Sequence, residues 1–225
     1  MHAVNTIFNY SACYAAFFLL TAISKQHNSN RLFNNQGIPA ENTVILTALH
    51  IAGLIYLGLV PWLFFKHAVN PVLRGSTQPG FLWLPLFSFL LTAAGIAGFR
   101  ASRRIHIRYS SSTVFSKTFL TCYFAVRILF LAAYELFFRG FVLFEGIQWL
   151  GTVPAILLST ALTVLIHVFT NKKEMWACVP FGILLSLLCI AINGVWPAVI
   201  IHVVLSLCYE VPPLYQFSNN LKTAK

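Results

Sequence analysis

Glu135 and Arg139 lie four residues apart inside a long apolar run, in Tyr134-Glu135-Leu136-Phe137-Phe138-Arg139-Gly140. On a helix, positions i and i+4 sit on one face one turn apart, so the carboxylate and the guanidinium are expected to pair. Charge inside a membrane helix is costly and faces the bundle interior, where it either locks helices together or serves chemistry. Both readings are open for this pair. Two more titratable groups sit in other apolar runs: His167, ending Thr163-Val164-Leu165-Ile166-His167, and His202, within Trp196-Pro197-Ala198-Val199-Ile200-Ile201-His202. Ser206 follows one turn beyond His202 on the same face and can donate a hydrogen bond. Two imidazoles with a Glu–Arg pair form a set that could hold and activate a water molecule. Hydrolysis within a bilayer needs a base for the water's proton, donors for the oxyanion and a pocket that admits water.

The runs that must position these groups define the solvent. Of 225 residues, 58% are hydrophobic and 9% charged, with a mean hydropathy of +0.77, whereas a soluble domain carries about 25% charged residues. The acidic residues are Glu41, Glu135, Glu145, Glu174 and Glu210, so each carboxylate within a span is informative. Apolar runs near the ~20 residues that cross a hydrocarbon core fall at about 4–24, 43–65, 80–99, 119–149, 153–170, 175–192 and 195–211. The expected fold is an all-α polytopic membrane bundle of about seven transmembrane helices, six to eight at the limits. It divides into N-terminal helices with a basic loop (1–116), a core carrying the chemistry (117–211) and a polar tail (212–225).

Several punctuation marks refine this. Pro61 interrupts the second run late, and its His50 reads as a packed or interfacial histidine. The fourth run is too long for one perpendicular span and contains Arg127, so an interfacial stretch up to Arg127 and a span near 128–148 are expected. Gly151 and Pro154 mark the next turn and helix start, Asn193-Gly194 a tight turn, and Pro212-Pro213 the end of the last span. Cys13, Cys122, Cys178, Cys189 and Cys208 are scattered without a CxxC and read as small hydrophobes. No basic region precedes the first run, which reads as a span and not as a removable signal peptide.

The formal charge of +10 does not point to nucleic acid, because the basic residues occupy short loops between apolar runs. Eleven Lys and Arg fall in loops 25–42, 100–118 and 171–174 and in the tail, against Lys66 and Arg74 on the opposite side. That asymmetry predicts a cytoplasmic C-terminus and an outside N-terminus. Arg100, Arg103, Arg104, Arg108 and Lys117, mixed with Ser110-Ser111-Ser112, read as a retention signal in preference to a headgroup or partner site. The expected partners are membrane lipid and a membrane-associated peptide or protein, not nucleic acid.

The order of the polar pieces resembles the CPBP family of intramembrane proteases, which includes CAAX prenyl endopeptidases and Abi-like proteins. The family's Glu-Glu-x-x-x-Arg motif is matched by Tyr134 to Arg139, continued by Gly140-Phe141; its Phe-x-x-x-His motif by Thr163 to His167; and its His-x-x-x-Asn motif by His202 to Ser206, preceded by Asn193-Gly194-Val195-Trp196-Pro197. The similarity covers about residues 117–209. It implies an intramembrane endopeptidase acting on a peptide bond of a membrane-associated substrate, in a bacterial cytoplasmic membrane. Its site residues would be Glu135, Arg139, His167, His202, Ser206 and Tyr134. Tyr134 stands where the family has its first Glu, held to be the base; Thr163 replaces the Phe, and Ser206 the Asn. Three readings follow: Glu135 acts as base, Tyr134 acts as an electrophile beside a water held by the histidines, or the site is inactive and the fold is kept for binding. Glu135, His167 and His202 also match a three-ligand set for a divalent metal such as zinc, although the HExxH signature is absent; metal-free hydrolysis ranks ahead of it. A small transporter using the charges as a relay is a further alternative, against which no paired halves are visible.

A working site requires Glu135, His167 and His202 at one depth, facing a water-accessible cavity that opens on the cytoplasmic side. His167 lies about 6 Å from its loop, and Glu135 would lie about 27 Å into a span begun at Lys117. A break near Arg127 is therefore predicted.

Overall fold

Every backbone polar group in a bilayer must be satisfied within the chain, and the apolar runs answer with helices. The structure, a computed structural model, describes residues 2–34, 36–64, 83–105, 107, 115–170 and 172–223, with side chains from residue 7 to 218. The loop at 66–79 with Lys66 and Arg74, Arg108, Ser110 to Ser112, Asn171, Lys225 and the side chain of Lys222 lie outside the described residues. The helices are α1 (His2–Gln26), α2 (Thr43–Gly53, continued by a π segment Leu54–Leu59), α3 (Trp83–Ser102), α4 (Lys117–Glu135, continued by a π segment Leu136–Val142), α5 (Leu143–Leu150), α6 (Thr152–Ile166, ending in a 3-10 turn His167–Phe169), α7 (Lys172–Ile192) and α8 (Trp196–Thr223). Among the described residues there is no strand, and seven helices are long and apolar enough to cross a membrane. The predicted bundle of seven spans is borne out.

Local signals set most boundaries. Asn42 caps α2, its side chain accepting from the amides of Val44 and Ile45 at 2.9 and 3.1 Å. Gly151, at φ +85°, makes the reversal between α5 and α6 in a region of backbone space that favours glycine. Asn193, at φ +51°, closes α7 while the Gly194 amide bonds back to the Cys189 carbonyl at 3.0 Å, a left-handed helix end. Pro61 carries no amide hydrogen, and the turn before it opens to a π turn in which the Val60 amide reaches the Ile55 carbonyl.

Two sequence expectations are corrected. There is no break at Arg127: Ser116 caps α4 through the Phe119 amide at 3.1 Å, and the helix runs unbroken past Arg127. Arg127 is tolerated inside it because Glu210 of α8 meets its guanidinium at 3.0 Å and His50 of α2 at 2.8 Å. The irregularity falls later in the same span, in the π segment over Leu136–Val142. The continuous helix Lys117–Leu150 has 34 residues, about 51 Å at 1.5 Å per residue, against a core of about 30 Å. The excess length lets part of the helix extend beyond the core, so Glu135 need not lie too deep. The second correction concerns Pro212-Pro213, which do not end α8. Beyond them Phe217 is buried against Leu32, Phe33 and Tyr123, and this packing outweighs the backbone bonds the prolines cannot make.

Two apolar clusters flank the site. One joins α1, α2, α4 and α6 through Phe17, Leu57, Phe130, Phe137, Phe138 and Ile166. The other joins α3, α5, α6, α7 and α8 through Ala94, Leu143, Ala155, Leu188 and Ile201. α3 packs along α8, where a Cβ added to Gly98 would stand 2.5 Å from the Leu205 carbonyl oxygen, so the close approach requires glycine.

Candidate active site

The π segment places the first motif. Widening of the helix takes the Leu143 amide to the Phe138 carbonyl, which also accepts from Ser159 of α6 at 2.9 Å. Wide turns of this kind occur frequently at functional sites. Glu135 and Arg139 flank its first turn and are 0% and 1% exposed. Arg139 Nη1 stands 3.2 Å from Glu135 Oε2, so the pair touches as expected. Those two atoms are in ionic contact without hydrogen-bond alignment, so the attraction there is electrostatic rather than directional. The guanidinium fits because position 182 on α7 is glycine: a Cβ there would stand 3.3 Å from Arg139 Nη2 and 3.1 Å from Thr160 Cγ2.

The other carboxylate oxygen of Glu135 turns to α8, where Oε1 and His202 Nδ1 are 2.5 Å apart. With the carboxylate accepting, the bond places the Nδ1 hydrogen toward Glu135 and leaves Nε2 directed away from it. Tyr134 lies beside this pair. Its ring is 5.5 Å from that of His202 and 6.5 Å from that of His167, centroid to centroid. The Tyr134 hydroxyl and His167 Nδ1 are both buried without a protein partner. His167 is set by the end of α6, where the helix tightens to a 3-10 turn. Thr163, one turn earlier, bonds the Ser159 carbonyl at 2.9 Å within its own helix.

A cavity of about 550 Å³ opens between α3, α7 and α8. His167, His202 and Ser206 line it, with Arg31, Arg127 and Glu174 among its polar groups. Glu135 and Arg139 do not line it; they stand behind His202. The structure thus brings Glu135, Arg139, His202, Tyr134 and His167 together, but presents the carboxylate to the cavity only through an imidazole. Ser206 is placed differently from expectation. Its hydroxyl donates to Glu210 Oε1 at 3.3 Å, so its hydrogen is directed along α8.

The same arrangement bears on a metal. A zinc-type set would need Glu135, His167 and His202 to converge as separate ligands. Here Glu135 is bonded to His202 itself, and among the described residues no three His, Cys, Asp or Glu side chains are grouped to hold an ion. The three-ligand set does not fit this geometry.

Residues 116–208 match the family model of the type II CAAX prenyl endopeptidase Rce1-like proteins. This match supports assigning the core to the CPBP/CAAX protease family. No curated protein and no solved structure matches the chain. Seven helices among the described residues are long and apolar enough to cross a membrane, which together with the family match supports an integral membrane protein.

Two ion pairs around this core were not foreseen from sequence. Glu210 accepts from Tyr123 at 2.8 Å and pairs with Arg127 at 3.0 Å, joining α4 to α8. Arg31, in the loop after α1, forms a two-pronged ion pair with Glu174 at the start of α7, one arm at 2.9 Å. For the first pair the only signal was the need for a partner, since an Arg and a Glu inside separate apolar runs must each find one. For Arg31 there was none, since a loop arginine before a loop glutamate has no periodicity. His50 is packed as expected: Nδ1 donates to the Leu46 carbonyl at 2.7 Å, and Nε2 accepts from Arg127.

Proposed function

We propose that the chain is an intramembrane endopeptidase that hydrolyses a peptide bond of a membrane-associated substrate, with His202 as base and Glu135 as the group that orients it. The observation that carries this reading is the 2.5 Å Glu135–His202 bond beside a cavity of about 550 Å³, a volume within the ~300–1,000 Å³ typical of ligand sites. His202 Nε2 takes a proton from water, and the water oxygen adds to the scissile carbonyl carbon. Charge then develops on the carbonyl oxygen, where His167 on the cavity wall is the donor at hand. Protonated His202 returns the proton to the departing amine as the C–N bond breaks, while Glu135 stabilises the imidazolium, following the logic of a carboxylate–histidine pair. Arg139 holds Glu135 in place. The reading is metal-free. Apolar walls with a polar end suit a peptide carrying a lipid or apolar group, and the matched family's description names prenyl substrates.

The same proposal takes 117–211 as the functional unit and a bacterial cytoplasmic membrane as its setting, with the C-terminus in the cytoplasm. The asymmetry of Lys and Arg between loops supports that orientation.

A second reading, a binding or scaffold protein without catalysis, is favoured by Tyr134 at the position of the family's first Glu and by the withdrawal of Glu135 from the cavity. Full-length protein in liposomes, given prenylated and unmodified peptides, separates the two. Cleavage that is lost in Glu135→Gln, His167→Ala and His202→Ala supports the enzyme. Cleavage unchanged in all three removes the site assignment, and binding without cleavage selects the second reading.

A further inference from the structure

A second, smaller chamber of about 100 Å³ lies on the opposite side of the histidines from the large cavity, among α1, α2, α4 and the end of α6. Arg31, Arg127, His167 and His202 line both spaces and form the wall between them. The two differ in chemistry. The large cavity is walled mainly by apolar side chains of α3, α7 and α8, whereas the small one adds Thr21, Asn30, His50, Tyr134 and Thr170 to the shared polar wall. At its inner end the Tyr134 hydroxyl, on a residue 3% exposed, has no protein partner, and neither has His167 Nδ1. At its outer end stand Asn30, Arg31 and Thr170, all half-buried, where α1 and α6 finish.

From this we infer that the small chamber is a hydrated compartment, separate from the substrate cavity, which supplies the hydrolytic water to His202 and His167. Buried polar groups without protein partners are normally satisfied by ordered water, and a water needs only about 10–15 Å³ of such space, so this chamber holds several. Water therefore enters from the Asn30–Thr170 end, passes Tyr134 and reaches the imidazole wall. An apolar substrate filling the large cavity does not displace it. The supply role rests on the endopeptidase reading; the hydration of the chamber does not.

Radiolytic footprinting of the full chain in liposomes, read by mass spectrometry, tests hydration directly, because the radicals form from water in place. Tyr123 is the internal control: it is equally buried, its hydroxyl is on Glu210, and it lines neither space. Tyr134 and His167 are expected to label several-fold faster than Tyr123. Labelling of Tyr134 no faster than Tyr123 would overturn the compartment. Thr21→Phe, or Leu49→Phe should the first variant not fold, fills the chamber from outside the catalytic set. Tyr134 labelling should then fall to the control level, while alkylation of Cys178 in the large cavity is unchanged. With a cleavable peptide, kcat should fall by about tenfold or more, roughly 1.4 kcal/mol in barrier, at unchanged KM. Loss of labelling with unchanged kcat would overturn the supply role. If wild type cleaves no peptide, the endopeptidase reading fails by itself and footprinting still decides whether the chamber is wet.

Discussion

Glu135 Oε1 and His202 Nδ1, 67 positions apart in the chain, meet at 2.5 Å in the interior of the bundle. The bond selects one tautomer of the imidazole and gives its charged form a counter-ion. Glu135→Gln keeps the size of the side chain but removes that charge and can present an amide donor to the ring. On the proposed mechanism it lowers kcat by about 10²–10⁴ with little change in KM, the range for loss of acid–base function. Steady-state kinetics of the variant beside His202→Ala checks this. Glu135→Gln retaining wild-type kcat would mean that the contact is only structural.

The ion pair between Glu135 and Arg139 is buried on both sides. Removing one partner leaves an uncompensated charge, at a cost of roughly 3–5 kcal/mol, whereas removing both is far cheaper. Arg139→Met should therefore be less stable than the double variant Arg139→Met with Glu135→Gln, whose amide oxygen still accepts from His202. Thermal unfolding in detergent gives the comparison. A double variant no more stable than Arg139→Met would show that the pair is not the source of the cost.

How far the sequence reached depended on whether a signal was local. Capping by Asn42, the glycine reversal at 151 and the Asn193-Gly194 helix end were legible because each rests on the conformational preference of one or two residues. The i, i+4 pairing of Glu135 with Arg139 was legible for the same reason. The fate of Arg127 was not, because whether a cation breaks a helix depends on a carboxylate 83 positions later in the chain. Ser206 was read toward the site because its face was correct, yet its hydrogen went to Glu210 on the next turn of the same face. Pro212-Pro213 read as a stop because the packing of Phe217 beyond them is tertiary.

Arg127 leads to a further prediction. Its partners Glu210 and His50 tie α4 to α8 and α2, and Tyr123 adds a hydroxyl to the same carboxylate. Arg127→Leu strands Glu210 inside the bundle and should destabilise by about 3–5 kcal/mol. Tyr123→Phe, which removes one donor to a charged acceptor, should cost about 1.5–3 kcal/mol. Amide exchange over residues 124–130 should show protection in the wild type, as an unbroken helix requires. Fast exchange there would restore the interfacial break that the sequence first suggested.

Tyr134 separates the catalytic reading from the binding one. Its hydroxyl is buried, has no protein partner and faces the two histidines' side of the small chamber. A buried polar group without a protein partner contributes little to stability, and its removal in shape-preserving form is neutral or stabilising. Tyr134→Phe should therefore leave the melting temperature equal or higher. If the hydroxyl donates to the attacking water, the same variant loses about 10²–10³ in kcat, the worth of one such donor. A purely packed tyrosine would move neither quantity. Tyr134→Glu gives the opposite arm. It restores a carboxylate at the position where the family motif has its first Glu, beside His167 and His202. On the binding reading, an inactive wild type gains cleavage in this variant. On the catalytic reading, the new carboxylate competes with Glu135 for His202 and activity falls. Stability and cleavage measured on the two variants in parallel thus assign Tyr134 to donor, spacer or the lesion that silenced the site.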